Sequence, residues 1–401
     1  MPKRLPGGSR TNWTDEKGNT VTELPFVRSS ERGAYKSCPQ RWYWAYVEKL
    51  VPSAVVLGAR DFGTGLHLAM AEFYIPGLKR GRDLIETFDE WARQAKNEAT
   101  ATEKGRKNFN EAEFNEECEK IRHALREHMR ITNGNPHWEV IANERTFAAD
   151  IRGKAIAVGT IDLVIRDTKT GKLWIIDWKT SKGFPHPEAY KFNDQGGSYS
   201  AIATTILRHL GLIGPQEKIK GMVFVVLRKV LPDERPQNPD GLYCNQPKKD
   251  HYIDQLGKEL EYEPGELEGM TLKQLQAEAL ENEVVVYGEV SKNQPMPVIK
   301  DYPVERTVKQ QSHQLKRLVD DVTVMDMARK GEIPILKAPG SLCPYCDFFQ
   351  LCEMDESQGD VEGMKQLMFR KRDPYHDHRE GAQNSKLSVT ADSKLKYEGG
   401  T

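Results

Sequence analysis

"GTIDLVIRDTKTGKLWIIDWKTS", residues 159–181, reads as two apolar strands joined by a polar turn. Val, Ile, Leu and Trp on either side of "DTKTGK" predict an antiparallel hairpin. The anomaly is Asp162 and Asp177, each set in an apolar run, because burying a carboxylate without a partner or a metal is costly. Alternation along a strand puts Asp177 and Lys179 on one face and Trp178 on the other. If the turn joins the two strands, both carboxylates approach one point and can share a divalent cation. Hard oxygen donors suit magnesium or manganese. Lys179 then stands beside the metal, where an ammonium stabilises developing phosphate charge or helps to orient an attacking water. The plainer alternative is an amphipathic sheet in which Asp177 and Lys179 form a surface pair.

Outward from this hairpin, the pattern is that of an α/β protein. "HWEVIANERTFAAD" before it is strand-like, residues 195–210 after it are helical, and "GMVFVVLRK" at 221–229 reads as a strand buried on both faces. Strand, helix and strand in succession predict a right-handed crossover back into the same sheet. Upstream, "GARDFGTGLHLAMAEFY" places Leu66, Ala69, Met70, Phe73 and Tyr74 at helical spacing, with His67 at the edge of the stripe. Charged helical patterns at 82–99 and 110–131 predict a helical insertion over about residues 80–132. "SSERGAYKSC" begins with serines suited to capping a short helix, which Cys38-Pro39 ends.

The expected organisation is a flexible arm over 1–25 and a core over 26–231. An inserted lobe follows at 232–300, with a helix at "MTLKQLQAEAL" and a strand at "VVVYGEV". A C-terminal helix and a cysteine segment occupy 301–353, and a polar tail without structure covers 354–401. No stretch approaches the roughly 20 apolar residues of a membrane helix, and the first residues lack the apolar run of a signal peptide, so a cytoplasmic protein without membrane contact is expected. A formal net charge of -1 argues against a generally basic coat, while leaving room for a local positive groove. No Walker A pattern is present, so no helicase motor is expected within the sequence.

Cys343, Cys346 and Cys352 stand within ten residues of one another, too close for three independent structural thiols. Such a group binds zinc or an iron-sulfur cluster, and spacing alone does not choose between them. The aromatic residues Trp42, Tyr43, Trp44 and Tyr46 suit either stacking on single-stranded bases or a dry shell around a metal.

Taken in order, His67, Asp162, Asp177-Trp178-Lys179 and the Gln195-to-Tyr199 segment "QGGSY" resemble the motifs of PD-(D/E)XK nucleases. The resemblance is to the branch containing the RecB and AddB nuclease domains, and within it to the Cas-four iron-sulfur exonucleases, some of them phage-encoded. It implies a restriction-endonuclease-like core, a mixed central sheet flanked by helices. It also implies that His67, Asp162, Asp177 and the Trp178 carbonyl hold Mg or Mn, that Lys179 assists the water, and that Gln195 and Tyr199 lie near the DNA backbone and the metal. Glu144 in "NERTF" resembles the acidic residue on the preceding strand, and Asp177 stands where close relatives usually carry Glu. For the cysteines, the resemblance adds Cys38 to Cys343, Cys346 and Cys352 as ligands of a 4Fe-4S cluster, zinc being the alternative. The implied activity is a metal-dependent DNA exonuclease acting on single strands or DNA ends in recombination or repair, with recombination or CRISPR-adaptation proteins as possible partners. The alternatives are an endonuclease on the same core and a non-catalytic DNA-binding scaffold.

Overall fold

The computed structural model describes residues 11–14, 20–23, 26–53, 58–151, 153–263, 265–375, 387–389 and 395–397. Most of the expected arm, and most of the tail beyond 375, lie outside the described residues. Contacts divide the chain into two units, residues 1–229 with 299–401, and Val230–Val298.

The first unit is built on a mixed sheet. Its central strands, β1 (Trp138–Ile151), β2 (Ala155–Asp167), β3 (Leu173–Ser181), β4 (Ile219–Arg228) and β5 (Ile299–Glu305), lie side by side in that order. β1, β2 and β3 run antiparallel, β4 lies parallel to β3, and β5 is antiparallel to β4. The hairpin of residues 159–181 therefore forms as read. Asp167 closes its turn by accepting the Lys169 N–H at 2.9 Å, and Gly171 supplies the left-handed residue at φ 68°. The parallel β3–β4 pair is joined through α5 (Asp194–His209), as the strand-helix-strand pattern predicted.

Helices cover both faces. On one face, α5 and α6 (Val308–Arg329) bury Ile202, Ala203, Ile206, Leu318 and Val322 against Ile175, Phe224 and Val226. Each of the Ile, Leu, Val and Phe side chains contributes about 1.5–3 kcal/mol by leaving water, and Ala203 less. On the other face lie α2 (Ala59–Phe73), α3 (Leu84–Ala99) and α4 (Glu111–Thr132). Asp83 caps α3 by accepting the Ile85 and Glu86 N–H groups, and Asn110 caps α4 through Glu113 N–H. Gly65 in α2 is where Trp91 of α3 lies closest: a Cβ there would collide with the indole.

The seam between these helices and the sheet is aromatic and polar at once. Tyr74 stacks on Trp178, and its hydroxyl meets His128 Nε2 at 2.7 Å, with His128 only 1% exposed. Burial alone pulls the His128 pKa from 6.5 down to about 4. The unfolded chain therefore binds this proton first, and the stability contributed by the neutral ring is present above pH 6.5 and lost as pH falls toward 4. Calorimetric melting of the wild type and of His128→Gln is expected to show a stability gap that narrows over this window, by up to about 3 kcal/mol. A gap that does not change with pH would contradict a buried neutral His128.

α1 (Ser29–Ser37) packs on α5 and α6, and Arg28 rather than a serine is its N-cap, with no side-chain cap; Ser29 and Ser30 fall in its first turn. Glu31, fully buried on α1, receives Trp42 Nε1 at 3.0 Å, the Arg329 guanidinium and the Tyr375 hydroxyl. The expectation of a structureless tail from 354 is corrected as far as residue 375. Phe349–Glu356 and Val361–Met368 are helical, and Phe369–Lys371 pairs antiparallel with Leu50–Pro52. These elements hold because Val361, Met364 and Phe369 pack with Trp44, Leu50 and Phe348. Among the described residues no helix is long and apolar enough to cross a membrane.

The second unit has its own small core. Helices Lys249–Glu259 and Leu272–Glu281 bury Leu256, Leu275 and Ala279 with Leu267 and Val286. The strand expected at 284–290 does not form, apart from an isolated bridge of Val290 to Cys244. Its main chain is taken instead by a side chain: Tyr287 N–H donates to Gln255 Oε1 at 2.9 Å, and Tyr287 O accepts from Gln255 Nε2 at 2.7 Å.

Candidate active site

The site begins where the β2–β3 ladder stops. The last paired residues are Leu163 and Ile176, so the next positions, Asp162 and Asp177, stand at the point of divergence. Asp162 Oδ2 accepts the Trp178 N–H at 3.0 Å, replacing with a side chain the bond a continuing ladder would supply. On the other side, Asn143 faces Leu163 and Arg145 faces Ile161, which sets Glu144 opposite Asp162. Glu144 adopts φ 40°, and the ladder around it is irregular between Val140 and Ala142. Three carboxylates thus follow one another across three strands.

His67 reaches them from α2, its Nδ1 lying 3.2 Å from Asp162 Oδ2. Ligand atoms of His67, Glu144 and Asp162 all lie within 4.8 Å of one another. Asp177, 1% exposed, is not in that trio; it accepts Gln195 Nε2 on Oδ1 at 2.9 Å and pairs with the Lys179 ammonium through Oδ2. Trp178 meets the site through its main chain, hydrogen-bonded to both Asp162 and His67, while its indole packs behind on Tyr74 and His128. Tyr199, one turn after Gln195 on α5, lies edge-on to Phe147 beneath β2. Gly159 makes room for it, since a Cβ at that position would come within 2.6 Å of the Tyr199 hydroxyl.

Electrostatics mark this as a strained set of charges. Burial, followed by the Asp177 charge, holds the Asp162 carboxyl well above the usual range, with Lys179 opposing. Glu144, although it reaches solvent, is pushed up to about 7 by desolvation and by Asp177. Burial and the Lys179 charge lower the His67 pKa, so the ring is neutral and free to offer a nitrogen lone pair. Burial works against the Lys179 charge, but Asp177 and Asp162 outweigh it and keep the ammonium protonated. Crowded carboxylates beside a neutral imidazole are a donor set that a divalent cation would relieve, and their oxygen-rich chemistry fits magnesium or manganese.

His67, Asp162, Asp177, Lys179 and Gln195 are neighbours at this end of the hairpin, Trp178 joins them through its main chain, Tyr199 packs under β2, and opposite Asp162 stands Glu144. Its signal was present in "NERTF", but only the register across β1 and β2 places it beside Asp162.

The four cysteines form a separate place. Cys38, Cys343, Cys346 and Cys352 line one cavity of about 710 Å³ with Trp44, Phe348 and Lys337. Trp44 is buried against Phe348 at this cavity, while Trp42 is buried away from it against Met325 and Ala328, so neither indole is an exposed stacking platform. Gly340 N–H points at Cys343 Sγ at 3.3 Å. Burial raises the Cys346 and Cys352 thiols, and the neighbouring Cys38 sulfur adds to it in both.

A mixed sheet whose diverging central strands carry two aspartates and a lysine, faced by a helical histidine and a helical glutamine, defines a nuclease core of the restriction-endonuclease kind. The chain belongs to the PD-(D/E)XK nuclease superfamily, whose family model matches residues 30–353. No curated protein matches the chain. Membership makes it a nuclease, with DNA as the implied substrate and divalent metal as the implied cofactor.

Proposed function

We propose that the protein is a magnesium- or manganese-dependent DNA exonuclease acting on single strands or duplex ends, with a role in recombination or repair. The observation that carries the metal-dependent part is the convergence of His67, Glu144 and Asp162 within 4.8 Å, next to the buried Asp177–Lys179 pair. The choice of an exonuclease rests on the order of motifs and on the cysteine set, which resemble the RecB-like and Cas-four nucleases.

His67, Glu144 and Asp162 would hold the cation, with Asp177 and the Trp178 carbonyl as the further ligands the resemblance implies. When bound, such a cation neutralises phosphate charge and makes its water more acidic. The chain's own residues do the rest. Gln195 fixes one oxygen of Asp177 and leaves the other facing Lys179. The protonated Lys179 stabilises charge building on the phosphate and orients the attacking water. Trp178, through its N–H, prevents Asp162 from turning away. For the cysteines, we assign a 4Fe-4S cluster. The choice over zinc rests on the resemblance, in which one cysteine before the nuclease core and three after it, spaced as Cys343, Cys346 and Cys352 are, hold such a cluster.

End-labelled linear DNA and closed circular DNA, each incubated with and without manganese, test this reading. Loss of label from linear single strands with intact circles is expected. Cut circles would make the protein an endonuclease, and no cutting of either substrate would favour a DNA-binding scaffold.

A further inference from the structure

Asp194 opens α5 one residue before Gln195, and it is the meeting point of three helices. Its carboxylate receives Lys36 Nζ at 2.6 Å, Arg317 Nη2 at 2.9 Å and Gln314 Nε2 at 3.0 Å, and Arg32 Nη2 stands 3.3 Å away. Asp321 on α6 holds the same cations from the far side, with Arg32 Nε at 2.7 Å and Lys36 Nζ at 2.7 Å. Arg32 is 1% exposed and also donates to Ser198 Oγ at 3.1 Å, a second anchor on α5. Burial opposes the Asp194 charge, but Lys36, Arg32 and Gln314 overcome it, and the carboxyl titrates below its ordinary range.

Packing tightens the same turn. A Cβ on Gly197 would come within 2.5 Å of Gln314, so α5 rests on α6 with no side chain between them at this point. The first turn of α5 cannot shift without stranding Arg32 or striking Gln314. That turn carries the Gln195 amide, which donates to Asp177 Oδ1 at 2.9 Å. A displacement on the order of 1 Å would break this bond and turn Asp177 away from its productive direction.

We propose that Asp194 is a positioning residue of the nuclease site: bound in its ring of charges, it fixes Gln195, and through Gln195 it sets how tightly the acidic site binds a divalent cation and how fast it turns over. This rests on the reading of that site as a metal-dependent nuclease. Asp194→Asn keeps the volume and an oxygen acceptor while removing the charge, and Gln195→Ala removes the relay itself.

The test uses the full chain, with manganese binding followed by calorimetry and cleavage followed as separate kcat and KM. Each single variant is expected to weaken manganese binding and to lower kcat by about tenfold or more, with KM for DNA almost unchanged. Because both act along one line, the double variant is expected to be no worse than Gln195→Ala alone. Losses that multiply in the double variant would overturn the proposal. So would an Asp194→Asn variant, or a Gln195→Ala variant, with wild-type manganese affinity. A lowered melting temperature with unaltered metal binding would reduce Asp194 to a stabilising role. A wild-type chain that cuts no DNA would remove the nuclease reading, while manganese calorimetry would still decide whether Asp194 positions the site.

Discussion

Asp177→Ala and Lys179→Ala are each expected to lower manganese-dependent degradation of single-stranded DNA by on the order of a thousandfold, with the fold retained. Asp177 lies within the sheet at 1% exposure, yet its partner Lys179 is a third exposed, so water can take over the ammonium when the carboxylate is removed. For Asp177→Ala the loss therefore falls on chemistry rather than on folding, whereas Lys179→Ala leaves a buried carboxylate without its cation and also lowers stability, by about 3–5 kcal/mol. The two variants differ in kind: Asp177→Ala removes a cation ligand and should weaken manganese binding, whereas Lys179→Ala removes a positive charge beside it and should leave that binding equal or tighter. Gel assays of end-labelled DNA with circular dichroism of each variant check both points. Wild-type rates in both variants would refute the assignment of the site.

The second large effect is expected at the cysteines. Protein purified without oxygen should be brown, absorbing near 400 nm as iron-sulfur proteins do. Cys343→Ser and Cys38→Ser should each bleach it. Joining Cys38 to the 343–352 segment closes a loop of roughly 300 residues, and restraining the unfolded chain to that extent stabilises by roughly 5 kcal/mol. Losing the cluster should therefore lower the melting temperature by on the order of 10 °C. Colourless protein carrying one equivalent of zinc would replace the cluster by the simpler metal.

Much of the acidic site was legible because its signals are local. Asp162, Asp177 and Lys179 sit on a hairpin closed by a six-residue turn, and Gln195 and Tyr199 are one helical turn apart, so alternation and periodicity alone set their directions. His67 needed only the apolar stripe of its own helix. Glu144 depended on the register between two long strands, with an irregularity between Val140 and Ala142 that composition does not announce. The ring around Asp194 was not legible at all, since its bonds join Lys36 and Arg317 across 158 and 123 positions of sequence. The helix at Val361–Met368 leaves little trace in the sequence for a similar reason. Its few apolar residues suffice only because Trp44 and Leu50, distant in sequence, offer them a surface.

The buried Glu31 adds a consequence for synthesis. Its charge is matched by Arg329 and by the hydroxyl of Tyr375, both of which leave the ribosome long after α1 itself. A nascent chain holding α1 alone would have to bury an uncompensated carboxylate, which is prohibitively costly. Seating α1 with Glu31 buried therefore depends on chain from the far end of the first unit, so removing the segment around Arg329 or Tyr375 is expected to loosen α1, whose Glu31 lies 298 and 344 residues away in sequence.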